Sequence, residues 1–106
     1  MPTHFLILEN AVRLARGLYN KGTMARLKKI LAKVLAGSRN IAFSDFILLV
    51  EGFGFHLSRV SGSHHIFVHD SVKELVNLQD VDGQVKPYQV KQLMQLIERY
   101  NLQLEE

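Results

Sequence analysis

The hydrophobic pattern of this chain changes its period twice, and that change constrains the fold most strongly. Residues 24–36, MARLKKILAKVLA, and residues 44–53 carry apolar side chains at helical spacing. Three stretches with the apolar and β-branched content of strands follow, separated by SGS and DSVK, at 55–60, 64–69 and 74–79. Helical spacing returns after Pro87, a residue suited to the first position of a helix. The order helix, strands, helix predicts an α+β domain.

The two ends of the second helix also have sequence signals. Ser44 is a residue type that caps helices, and Asp45 after it would interact favourably with the helix dipole. The sequence GFG at 52–54 marks the other end. Short turns between the strands predict a three-stranded antiparallel meander with the helices on one face. We therefore expect an αβββα sandwich whose other sheet face is open.

Three of the five histidines lie in the predicted central strand. Side chains alternate between the two faces of a strand, so His65 and His69 share one face with Phe67. Ile66 and Val68 lie on the other face and are the better pair for a core. This reading predicts that His65 and His69 lie on the open face of the sheet.

The histidine cluster raises the question of a metal site, and strand geometry argues against one. Positions four apart on a strand are separated by ~13 Å, whereas the ligands of one zinc ion lie ~2.0–2.1 Å from it. His65 and His69 therefore cannot easily share a metal. The chain has no cysteine, which excludes disulfides and thiolate ligands and is compatible with a cytoplasmic location. We expect neither a metal nor a cofactor.

The charge of the chain is unevenly divided. Residues 1–39 hold eight Lys or Arg against one Glu, whereas the remaining residues hold five against nine acids. The basic helix at 24–36 could face a polyanion, or it could be a solvated helix face. No apolar run approaches the ~20 residues of a membrane span, and the N-terminus lacks the basic region of a signal peptide. We therefore expect no membrane span. The cationic amphipathic helix could also lie on a membrane surface, but the rest of the chain offers its apolar stripe a core to join, so we expect no membrane partner.

Two segments carry a resemblance to a known family. They are GFGFHLSRVSGSHHIFVHD, which contains an R-x-x-G-S-x-H turn, and KPYQVKQLMQLIERYNL. From residue 44 onward the chain resembles the HicA family of bacterial toxin–antitoxin toxins, and residues 24–43 resemble it more loosely. The resemblance implies a fold like the double-stranded RNA-binding domain over 24–106. Residues 1–23 would then be an N-terminal extension, helical or not part of the native chain.

The resemblance also implies an activity and a site. Family members are ribonucleases that cleave mRNA, and the family's catalytic histidine matches His65. Gly62 and Ser63 of the same motif would present it at the turn. Histidine suits this chemistry because its ordinary pKa of ~6.5 lets it exchange protons near neutral pH. Since a neighbouring 2′-OH of RNA can act as the nucleophile, no metal is required.

Three cations are candidates for holding the RNA phosphates. Lys86 and Lys91 flank the start of the last helix, where the helix dipole favours an anion. Arg59 precedes the turn and is the third candidate. These residues could equally be solubilising charges.

The resemblance finally implies a protein partner, a HicB-like antitoxin that covers His65 and competes with mRNA. Such a partner could engage the cations of the basic helix and of the last helix, or apolar surface around Phe67. Two alternatives from other classes remain open. One is a catalytically weak RNA-binding or regulatory module, and the other is a small interaction protein that dimerises through its open sheet.

Overall fold

The computed structural model describes residues 21–105, which form helices packed on a small sheet. The elements in chain order are α1 (Lys21–Leu35), α2 (Phe43–Gly52), β1 (His56–Ser61), β2 (His64–His69), β3 (Val72–Gln79) and α3 (Pro87–Tyr100). The predicted order of elements is confirmed. Of the expected N-terminal extension, residues 1–20 lie outside the described residues, and α1 begins at Lys21, ahead of the expected Met24.

The sheet is the predicted antiparallel meander, with β2 between β1 and β3. Its register places Val60 and Leu78 on either side of His65, and Leu57 and Val76 on either side of Phe67. Residues paired in this way point to the same face.

The core lies between the helices and one face of the sheet. Its largest fully buried side chains come from both layers and include Phe46, Leu49 and Val50 of α2, Leu93 of α3, and Phe67, Val76 and Leu78 of the sheet. Ile30 and Val34 join α1 to the same cluster. The three helices of residues 21–105 therefore contribute to one core on one side of the sheet. The expected α+β class and open second face are confirmed.

The start of α2 differs from the prediction. The N-cap residue is Ala42, and Ser44 lies exposed in the first turn instead of capping the helix. Backbone partners replace the side-chain cap, since the N–H of Phe43 donates to the carbonyl of Gly83 over 2.9 Å. Asp45 does lie in the first turn, where it pairs with Arg26 at 2.7 Å. The other end is as predicted, with Gly52 as the last helical residue.

The prediction that His65 and His69 lie on the open face is wrong. Phe67, which shares their face, is only 1% exposed and belongs to the core. Val76 and Leu78 decide the matter, because both are fully buried and pair with Phe67 and His65. Ile66 and Val68 lie on the open face instead, although neighbouring groups still cover most of Ile66.

The fold offers no membrane-spanning element over residues 21–105, where no helix combines sufficient length and apolarity to cross a bilayer.

Candidate active site

His65 sits in the central strand at the end of the sheet nearest the β1–β2 turn. Its ring is half-buried and meets the edge of Phe43, with ring centroids 5.1 Å apart at 64°. Its Nδ1 lies 3.3 Å from the carbonyl oxygen of Ser63. Because a carbonyl oxygen only accepts hydrogen bonds, this contact is a hydrogen bond when Nδ1 carries the proton, and it favours that tautomer. Nε2 of the neutral ring then keeps its lone pair and can accept a proton.

His64 occupies the opposite face of the same strand. It is exposed, and its Nδ1 lies 3.1 Å from the side-chain oxygen of Asn77 on β3. Side chains of adjacent strand residues point away from each other. His64 and His65 therefore cannot approach one phosphate from the same side.

His69, at the far end of β2, is held in a different way. Its Nδ1 accepts a hydrogen bond from the backbone N–H of Ser71 over 3.0 Å, and its ring meets the edge of Phe55 with centroids 5.0 Å apart. Both contacts fix this ring locally, away from the β1–β2 turn. Within residues 21–105, no three His, Cys, Asp or Glu side chains gather closely enough to hold a metal ion.

The β1–β2 turn is the part of the predicted motif that the structure brings to His65. Gly62 has a φ of +59°, a left-handed conformation that glycine adopts without strain. Ser63 is held from two sides: Gln79 donates to its hydroxyl and the backbone N–H of Asp80 donates to its carbonyl, each over 3.3 Å. The carbonyl that orients His65 is therefore itself held by the backbone of Asp80, the residue directly after β3.

The predicted phosphate-binding cations are spread over different parts of the surface. Lys86 is the exposed N-cap residue of α3, and Lys91 is exposed one turn further along that helix. Arg59 pairs with Ile66 and therefore lies on the open face, opposite His65. The structure thus does not bring Arg59 and His65 to the same face.

The first turn of α3 is anchored to the sheet beside these lysines. The buried side chain of Gln89 accepts a hydrogen bond from the N–H of Lys86 over 3.4 Å and donates to the carbonyl of Asn77 over 3.2 Å. This arrangement fixes the helix N-terminus against β3, so the position of Lys86 is set by the core.

Other cations lie on α1. Lys28, Lys29 and Lys33 are exposed, whereas Arg26 is engaged by Asp45. The predicted basic helix therefore exists and presents free charge to solvent, which is the requirement for contact with a polyanion.

The described residues with shifted pKa values lie in a hydrogen-bonded group that joins β3 to α3. This group, the C-terminal clamp, consists of Glu74, Arg99 and Tyr100. The hydroxyl of Tyr100 donates to Glu74 over 2.6 Å, and Arg99 pairs with the same carboxylate at 2.5 Å. The Tyr100 hydrogen bond, helped by Arg99, lowers the pKa of Glu74 below its ordinary value. The same hydrogen bond raises the pKa of Tyr100, because it favours the protonated phenol.

Sequence reasoning missed three residues that define the surroundings of His65: Phe43, Gln79 and Asp80. Only the last had a signal in the sequence, since Asp followed by Val-Asp-Gly is typical of a turn. The ring contact of Phe43 and the hydrogen bond of Gln79 arise from tertiary packing between segments distant in sequence.

The chain was compared with curated proteins, solved structures and protein-family models. Neither the curated proteins nor the solved structures yielded a match. A family model described as HicA toxin of bacterial toxin-antitoxin matches residues 43–98, which is more than half of the chain. The matched region runs from the first residue of α2 into the last turn of α3 and includes the β1–β2 turn and His65. The chain therefore belongs to the HicA toxin family of bacterial toxin–antitoxin systems.

Proposed function

We propose that this toxin is an endoribonuclease that cleaves mRNA without a metal, with His65 as its catalytic residue. Family membership makes the chain a toxin with an antitoxin partner. The observation that supports the finer proposal is the hydrogen bond from Nδ1 of His65 to the carbonyl of Ser63. It leaves Nε2 of a half-buried ring as the atom that takes and returns a proton.

The reaction would be an internal displacement at phosphorus. Nε2 of His65 takes the proton of the 2′-OH, and the 2′ oxygen forms a bond to the adjacent phosphorus. The bond from phosphorus to the 5′ oxygen breaks, and that oxygen takes a proton from water. His64 does not supply this proton, since it lies on the other face of the sheet. The products are a 2′,3′-cyclic phosphate and a free 5′-OH.

The RNA backbone would be held at the end of the sheet where His65 lies. The Gly62–Ser63 turn presents backbone groups there, and Lys86 adds a cation at the N-terminus of α3. Lys91 extends this positive surface along the helix. Arg59 would contact flanking nucleotides that pass over the open face, because its side chain does not share a face with His65.

We further propose that the antitoxin is HicB-like and engages the exposed cations. The apolar docking around Phe67 considered from the sequence is wrong, because Phe67 is 1% exposed and cannot anchor a partner. An acidic inhibitor could use the exposed cations of α1, Lys28, Lys29 and Lys33, or those of α3, Lys86 and Lys91. An mRNA-cleaving toxin meets its substrate in the cytoplasm, so the proposal includes that location.

A cleavage assay on a short RNA, with and without excess EDTA, tests this proposal. We expect cleavage at an undiminished rate in EDTA and none when a 2′-deoxynucleotide replaces the nucleotide at the cleaved position. Restoration of activity only by added zinc or manganese would contradict the proposed mechanism.

The same preparation separates the alternative functions. Retention of RNA in a binding assay without cleavage would identify a weak RNA-binding module. Neither binding nor cleavage, with a dimer in solution, would identify an interaction module that associates through the open sheet.

A further inference from the structure

We propose that Asp80 is a positioning residue for His65, which it orients through one hydrogen bond of its backbone and one of its side chain. The inference rests on the proposed function, because it concerns the ring that would perform the chemistry. In this proposal Asp80 acts through Ser63, Gly83 and Phe43, and it has no direct role toward the RNA.

The backbone of Asp80 controls the carbonyl that orients His65. Its N–H donates to the carbonyl oxygen of Ser63 over 3.3 Å, and the same oxygen accepts Nδ1–H of His65 at 3.3 Å. A carbonyl oxygen has two lone pairs, so both donors are satisfied together. Movement of Asp80 would therefore move the acceptor on which the tautomer of His65 depends.

The side chain of Asp80 controls the second contact of His65, the edge of Phe43. Its Oδ1 accepts the N–H of Gly83 over 2.8 Å, which closes the turn that begins at Asp80. The carbonyl of Gly83 in turn accepts the N–H of Phe43 over 2.9 Å at the start of α2. The phenyl ring of Phe43 packs against His65 at 5.1 Å between centroids. One residue thus links both groups that fix the imidazole ring.

The proposed role requires the hydrogen-bond acceptor of Asp80 and not its charge. A carboxylate close to a phosphate-binding turn repels RNA, so on electrostatic grounds alone a neutral residue would serve better. The carboxylate instead accepts a backbone N–H, a role that an asparagine side chain could also perform. Replacing Asp80 by Asn therefore separates the effect of the hydrogen bond from the effect of the charge.

Three variants in the full chain test the proposal: Asp80→Ala, Asp80→Asn and Asp70→Ala. Asp80→Ala removes the acceptor for Gly83, whereas Asp80→Asn keeps an acceptor and removes the charge. Asp70→Ala is the matched control, because it removes an equal charge from the exposed turn after β2. We expect kcat for RNA cleavage to fall roughly tenfold in Asp80→Ala, as for a misplaced catalytic group. We expect KM to stay the same or fall, and kcat to remain within about twofold of wild type in Asp80→Asn and Asp70→Ala.

A second readout is independent of cleavage. Nitrogen-15 NMR of the imidazole rings reports the tautomer of His65, and we expect Nδ1–H in the wild type and in Asp80→Asn. In Asp80→Ala the Nε2–H form should gain population. Circular dichroism establishes that each variant is folded, and Asp80→Glu, whose longer side chain displaces the acceptor, replaces Asp80→Ala if that variant unfolds.

The outcomes distinguish this proposal from the proposed function. An Asp80→Ala protein with wild-type kcat and an unchanged His65 tautomer would overturn the positioning role. A wild-type ring with its proton on Nε2 would overturn it as well. A tautomer change in a protein that does not cleave RNA would support the positioning role and reject the ribonuclease.

Discussion

Replacing Phe67 by Ala should cost far more stability than replacing its neighbour Val68 by Ala. Phe67 is 1% exposed in the central strand and packs in the cluster that joins the sheet to the helices, whereas Val68 lies half-exposed on the open face. Removing a buried phenyl ring loses its transfer free energy and leaves a cavity, together about 3–5 kcal/mol. Truncating a half-exposed Val loses about 1 kcal/mol or less. Domains of this size have total stabilities of roughly 5–15 kcal/mol, so Phe67→Ala removes a large share.

Urea denaturation followed by circular dichroism measures both values. We expect the midpoint for Phe67→Ala to fall steeply and that for Val68→Ala to shift slightly, with similar slopes in both. The comparison tests which face of β2 is packed. Equal losses for the two variants, or a larger loss for Val68→Ala, would refute the assignment of His65 and Phe67 to the helix side.

Three further predictions concern the C-terminal clamp, a glycine and the partner. Tyr100→Phe should raise the pKa of Glu74 toward its ordinary value, as measured by NMR titration of the carboxyl carbon; an unchanged titration would show that the hydrogen bond is not the cause. Because the folded-state pKa of Glu74 is lowered, its stabilising contribution is present above the unfolded-state pKa and is lost as the pH falls through the folded value. The raised pKa of Tyr100 has the opposite sign, so its contribution is lost as the pH rises through the folded value. Gly54→Ala should destabilise the fold by roughly 1–3 kcal/mol, because φ is +94° and the new Cβ would lie 2.8 Å from Nε2 of His69; Gly22→Ala, in open space within α1, should be neutral or slightly stabilising in the same urea titration. Finally, the association rate of the antitoxin should fall as salt rises, since exposed charges are screened beyond ~10 Å at 0.1 M salt; a rate independent of salt would exclude charge-led docking on Lys28, Lys29 and Lys33.

The order of elements was predictable because each local pattern agrees with the fold. Apolar residues at helical spacing marked α1 and α3, and Pro87 does begin α3 as expected. The ends were less predictable where tertiary contacts replace local signals. Ser44 has the chemistry of a cap, yet the carbonyl of Gly83 satisfies the backbone at the start of α2. No local pattern could reveal that partner, which lies 40 residues away in the chain.

The packed face of the sheet was misassigned because β2 carries apolar residues on both faces. Two aliphatic residues, Ile66 and Val68, lie on one face and a single apolar residue, Phe67, on the other, so the number of apolar residues favoured the wrong face as the packed one. The missing signal lay in β3, where Val76 and Leu78 alternate with Asn77 and Gln79 and so define one apolar face. Once β3 is paired with β2, Phe67 and His65 must point to that face. The alternation of side chains within one strand is therefore weaker evidence for the packed face than the alternation shared by two paired strands.

The turn motif of the candidate site was predictable from the sequence, but the contacts that orient His65 were not. Gly62 and Ser63 do form the turn before the histidines, as their sequence indicates. The contacts that orient His65 come from Phe43 and, through Ser63, from Asp80. These depend on how α2 and the loop after β3 meet the end of the sheet, which only the folded chain determines.

The central claim is that His65, and not its neighbour, exchanges the proton during RNA cleavage. Single-turnover cleavage of one RNA by the wild type, His65→Ala and His64→Ala tests it most directly, because the two residues are neighbours in the chain and their rings lie on opposite faces. General acid–base catalysis by one side chain contributes typically 10²–10⁴-fold, so His65→Ala should slow cleavage by about that factor, with unchanged RNA affinity. His64→Ala should retain most of the wild-type rate. Full activity in His65→Ala, or a loss confined to His64→Ala, would contradict the account.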